Sequence, residues 1–343
     1  MRLGWSKVDK RWNSTGIRPV FQGFATENKP CFPVIEPEFG RRDDAKVTSI
    51  QKAAHVMIEY PLADLDAWAA YYAQAELPVL RHTMTALDKL RANAENASGR
   101  VLSAVILQDP LMTLRVLAFL EKRRRKSQNA DITTIGRALM MIGVNPFFSA
   151  FENLPLVEDS LKSHPQALLG LLKVIARARK ASHWAREWAI ARHDLNVEEI
   201  TVATLLHEVT EILMWCFAPT LALKVNSLLV HNGKQRSADA QEEVYGVRLE
   251  DLKRKLVRGW QLPQLLVDLM DHDNAEQARV LNVTLAIDLA RHSAHGWSNP
   301  ALPDDLRAVE NLLHISHNAM LAKLGLDAPA APASVVTKSN SAG

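Results

Sequence analysis

The strongest constraint on this chain is where it lacks glycine and proline. Residues 41–326 hold only 19 of these breakers in 286 positions, about half the roughly 12% that average usage supplies. Eight more fall within residues 1–40 and three within the last 17. A long stretch so poor in residues that interrupt regular structure is expected of a helical protein. No runs of alternating Val, Ile and Thr compete with that reading, so a sheet is not expected. The fold class is therefore all-α.

The breaker-rich ends read differently. Residues 1–54 mix Gly, Pro and charge without period and are expected to form a mobile arm. Residues 327–343, beginning Asp327-Ala328-Pro329-Ala330-Ala331-Pro332, have the composition of a disordered tail.

Between them the apolar residues recur at helical spacing. Pro61 and Pro78 are each placed to open a helix, with Leu80, Met84, Leu87 and Leu90 striping the second. Ser98 is a cap for a third. That helix is expected to end near Asp109-Pro110, because the residue before proline avoids helical angles. A fourth runs from about Leu111 into the charged cluster 121–126. Asp131 is the expected cap of a fifth, which stops at Gly143. Longer helices follow over 165–193 and over 197–217, the latter with Ile200, Ala203, Leu206, Val209, Leu213 and Cys216 nearly on one side. Further helices are expected over 218–230, 249–260, 263–270, 275–294 and 303–324. We divide the helical region into an N-terminal subdomain, 55–160, and a C-terminal bundle, 161–326, packed as one unit.

Composition narrows the function classes. Hydrophobic residues make up 48% and charged residues 23% of the chain, ordinary for a soluble globular protein. A net charge of +3 implies no strong overall field toward nucleic acid or membrane. No signal-peptide core follows Met1, and no run approaches the ~18 apolar residues of a membrane span. The two cysteines, Cys31 and Cys216, form neither a disulfide framework nor a metal-ligand pair. The expected compartment is the cytoplasm. Phosphate-binding glycine loops and nucleophile-elbow patterns are absent from the sequence.

Several segments, in this order, resemble the HDOD family, a branch of the HD-hydrolase superfamily. They are Leu77-Pro78-Val79-Leu80; Ile106-Leu107-Gln108-Asp109-Pro110-Leu111; Ile132-Thr133-Thr134-Ile135 running on to Gly143; Leu205-Leu206-His207-Glu208-Val209; and Trp260-Gln261-Leu262-Pro263. Together they span roughly residues 76–295. The resemblance implies an all-helical fold with an HD-like C-terminal part, and a regulatory role in bacterial signalling.

It also implies a place for a metal. HD hydrolases hold a divalent ion with a His, an adjacent His-Asp pair and a later Asp, and the metal activates water. By that resemblance the metal candidates are His183, His207, Glu208 and Asp288. Here Glu208 replaces the Asp, adding a methylene that moves the carboxylate oxygens. Glu211 stands where active relatives carry a Lys. Leu249 stands where a further ligand histidine is expected, and His272 is the only remnant of a later pair. Equally, His207 reads as a core histidine with a hydrogen-bond partner.

One charge feature stands apart. Lys122, Arg123, Arg124, Arg125 and Lys126 read either as an anion-binding cluster, for a nucleotide or a nucleic-acid backbone, or as a solvated helix end. Trp184, Trp188 and Trp215 read as core, or as walls of a pocket.

The sequence thus points to a non-catalytic regulatory protein acting through a protein partner or a signalling nucleotide, with no cofactor. A metal-dependent phosphohydrolase built on the variant His-Glu pair, and a nucleic-acid-binding protein using residues 122–126, remain the alternatives.

Overall fold

The structure, a computed structural model, describes residues 57–93, 97–123, 131–233, 235–271, 273 and 277–326. The expectations for the arm, the tail, His272 and Arg124 to Lys126 lie outside these residues. All described residues belong to one compact unit. They form seventeen helices and no strand; a single parallel bridge joins Val79 and Leu156.

The first half contains α1 (Leu65–Gln74), α2 (Arg81–Ala92), α3 (Gly99–Ile106), α4 (Pro110–Arg123), α5 (Ile135–Ile142), α6 (Val144–Ala150) and α7 (Val157–Ser160). Local chemistry sets the boundaries. Asp64, not Pro61, caps α1 by accepting from Ala67 N–H. Ser98 caps α3 as expected. Thr134, not Asp131, caps α5, and Gly143 ends it at φ 81°, where a side chain would be strained.

Asp109 ties two of these helices together. Its Oδ1 accepts from the backbone N–H of Leu111 and Met112 at the start of α4. Its Oδ2 accepts from Leu80 N–H and the Thr83 hydroxyl at the start of α2. One fully buried carboxylate thereby satisfies the orphan donors of two helix N-termini.

The second half contains α8 (Pro165–Ala191), α9 (Val197–Leu206), α10 (Val209–Phe217), α11 (Pro219–His231), α12 (Ser237–Tyr245), α13 (Leu249–Gly259), α14 (Gln264–Leu269), α15 (Ala278–His292), α16 (Leu302–Leu313) and α17 (His317–Lys323). The 27-residue α8 is the spine, packed against α9, α10, α11 and α15. Gly170 permits its closest approach: a Cβ there would lie 2.5 Å from the Trp215 ring. Trp215 is therefore core.

Two expected helices are broken. Residues 303–324 divide at His314, which adopts left-handed angles (φ 54°). Val197–Phe217 divides at His207 and Glu208, with Glu208 leaving helical geometry (φ −93°, ψ 18°). This second segment is, by length and composition, the one run among the described residues apolar enough to cross a membrane, contrary to the expectation that none approaches a span. In the fold 89% of its apolar window is buried in the protein interior.

The halves share one core. Trp68 and Tyr72 on α1 pack against Tyr245 and Phe217. Trp68 Nε1 donates to the Tyr245 carbonyl at 3.2 Å.

Candidate functional site

The break after α9 places His207 and Glu208 at the N-terminus of α10, both buried. A buried carboxylate needs compensating charge. For Glu208 two arginines supply it. Arg177, on α8, is bidentate: Nε donates to Oε2 at 2.7 Å and Nη2 to Oε1 at 2.8 Å. Arg291, near the end of α15, donates from Nη2 to Oε1 at 3.0 Å. Arg177 Nη2 also donates to Glu211 Oε2 at 2.9 Å. Burial acts to raise the Glu208 carboxyl, but the two guanidinia outweigh it and hold the group below the ordinary carboxylate range. Arg177 is in turn held more firmly protonated: Glu211 and Glu208 overcome the effect of its burial.

His207 meets a third cation. Lys253, on α13, brings Nζ within 3.0 Å of His207 Nε2 and 2.8 Å of Glu250. An ammonium only donates, so in this contact Nε2 is the acceptor. Burial lowers the Lys253 ammonium from its usual value, with Glu250 opposing.

The metal candidates do not assemble. His207 and Glu208 are adjacent in space, with their ligating atoms turned to Lys253, Arg177 and Arg291. Asp288 lies one turn before Arg291, Oδ1 3.9 Å from Arg291 Nη1. His183 is exposed on α8. It lies six residues beyond Arg177, which sets it about 120° around the helix from that side chain. Among the described residues no three His, Cys, Asp or Glu side chains are placed to share a metal. The residues present do not fit the metal that the resemblance implied. The physical reason is substitution of charge: cationic side chains occupy the space beside Glu208 and His207.

Beside this network a cleft of about 230 Å³ opens, lined by His207, Glu208, Thr210, Glu211, Ser237, Ala238, Gln241, Arg248, Leu249, Glu250 and Arg291. The N-termini of α10, α12 and α13 converge on it. Arg177, Lys253, Arg248 and Arg291 were not among the residues the sequence singled out. Arg177 is one of several cations along α8, so residue type did not mark it out. Spacing alone could not pair it with Glu208.

The expected anion cluster is only partly described. Lys122 and Arg123 are exposed at the end of α4, and the Arg123 guanidinium lies 4.2 Å over the Phe119 ring.

The described residues thus form an all-helical body with a His-Glu pair at the junction between α9 and α10. The HDOD domain model matches residues 77–276, and the chain belongs to the HDOD domain family. Among solved structures it is similar to the MmoQ response regulator of Methylococcus capsulatus str. Bath, with TM-score 0.55 and 18% identity, covering 75% of this chain and 100% of that one. It is also similar to a virulence factor from Campylobacter jejuni, with TM-score 0.51 and 17% identity, covering 78% and 94%. At these identities the likeness is one of fold. No curated protein matches the chain.

Proposed function

We propose that this protein is a non-catalytic HDOD-type regulator, a bacterial cytoplasmic signal-transduction component that acts through a protein partner or a nucleotide-like ligand. The observation that carries this reading is the bidentate Arg177–Glu208 pair. A guanidinium takes up the carboxylate that a metal-dependent hydrolase would give to its ion, and Lys253 takes up the imidazole nitrogen. The pair leaves the position charged, with both Glu208 oxygens accepting from guanidinia. The neighbouring cleft, with Arg248 and Arg291 at its wall, supports a role in binding over one in hydrolysis. The MmoQ neighbour is itself described as a response regulator.

The test is metal content. The full-length protein is incubated with manganese, iron or zinc, desalted and assayed, with His207→Ala as control. The expected result is far less than one equivalent in both proteins, and no release of phosphate from model phosphoesters. Near-stoichiometric metal that disappears in His207→Ala would sink the proposal and restore the hydrolase reading.

A further inference from the structure

The exposed face of α8 carries a row of cations. Lys173, Arg179, Lys180, His183 and Arg186 all lie on its solvent side, spread over 13 residues and so roughly 20 Å of helix axis. Only one acid, Glu187, shares that exposed arc, and it pairs with Arg186. Among the described residues Lys173, Arg179 and Lys180 have no acidic partner; Arg179 donates to the neutral Gln108 side chain, and Lys180 to the Ser293 hydroxyl. A solvated face of mixed sign would be unremarkable. One sign over several turns is a field that attracts polyanions.

A second feature lies against the same face. Trp297, in the loop after α15, is 39% exposed. Its ring sits 6.5 Å from that of Trp184, and Lys180 Nζ lies 4.6 Å from the Trp184 centroid and 5.4 Å from that of Trp297. A large aromatic is thus held open to solvent at the edge of the cationic stripe.

From these two features we infer that the α8 face with Trp297 is a binding surface for single-stranded nucleic acid. Three exposed cations without acidic partners among the described residues, Lys173, Arg179 and Lys180, supply a track for phosphates, and Trp297 supplies a platform on which one base stacks. A duplex would offer the phosphates but no open base face. A lipid surface fits less well, because a helix lying in an interface needs a free apolar side. The main apolar side of α8 is packed on α9 and α15, and the exposed Leu169, Leu172 and Ile190 are scattered among the cations rather than forming such a side. None of these residues lines the cleft at Glu208.

The experiment measures binding of a fluorescently labelled 20-nucleotide oligo-dT strand to the full-length protein across a salt series, beside a duplex of equal length. The expected result is preference for the single strand, with a slope of log K on log salt of about −2 for three neutralised phosphates. Lys173→Ala/Arg179→Ala/Lys180→Ala should weaken binding at least tenfold and flatten the slope. Trp297→Ala should weaken it about tenfold with the slope retained. If the triple variant melts early, Lys173→Glu alone serves, since Lys173 makes no hydrogen bond among the described residues. Binding unchanged by these substitutions, or equal affinity for duplex, overturns the inference. So does capture by phosphatidylglycerol vesicles without binding to the strand.

Discussion

Arg177 and Glu208 face each other across the α8–α10 packing interface in a two-bonded fork, at 2.7 and 2.8 Å, with the carboxylate side chain 4% exposed. A pair this deeply buried is asymmetric in its energetics: losing one partner strands the other charge. Arg177→Ala is expected to destabilise the protein by roughly 3–5 kcal/mol. Replacing both partners, as Arg177→Met with Glu208→Leu, should recover most of that loss. Urea unfolding of the two variants beside the wild type checks this; equal losses in the single and double variants would contradict it.

The same carboxyl gives the stability curve its acid limb. Its folded value is depressed, so the stability it contributes is present above the ordinary glutamate value near 4.3. That contribution fades as pH falls through the lower folded value. Glu208→Gln should lower stability at neutral pH while leaving a shallower loss between about pH 5 and pH 2. Denaturant midpoints measured across that range test the prediction, and parallel curves for variant and wild type would refute it.

Asp109 should be among the most sensitive polar positions in the first half. Asp109→Ala leaves four donors from α2 and α4 without their acceptor. Buried unsatisfied groups cost about 1–3 kcal/mol each, and partial relaxation at the helix ends should limit the total to roughly 2–4 kcal/mol. Asp109→Asn should rescue it poorly, because an amide presents one acceptor oxygen where the carboxylate presents two. Thermal denaturation of both variants reads the difference.

Gly170 reverses the usual propensity rule. Alanine in a helix interior normally gains about 1 kcal/mol over glycine. Here the added methyl would press on Trp215 at 2.5 Å, so Gly170→Ala should lose stability instead. Trp215→Leu in the same background should restore part of the loss by relieving the contact. A more stable Gly170→Ala protein would show that α8 and α10 can separate without penalty.

Much of this molecule could be read along the chain. The all-α class followed from breaker scarcity and helical period, and the Ser98 cap, the Asp109-Pro110 boundary and the Gly143 stop followed from local backbone chemistry. Those signals act within a few residues, so one strand of text contains them. The expected continuous helix over 197–217 failed at His207 and Glu208 because an apolar period says nothing about where buried polar groups must turn toward partners. His183 was misplaced for a related reason: residue type and order were right for a ligand, but the helical angle set its side chain outward.

What the sequence by itself determined, then, was the class of fold, most of its helices and the position in the chain where the site would lie. The tertiary structure alone decided what that site is. Arg177, Lys253 and Arg291 come from three helices 31 to 83 residues removed from the residues they engage. Such pairing is set by packing and by the cost of burying charge, neither of which leaves a periodic trace. A His-Glu pair that reads as half of a metal centre is, once folded, a carboxylate and an imidazole already claimed by the protein's own cations.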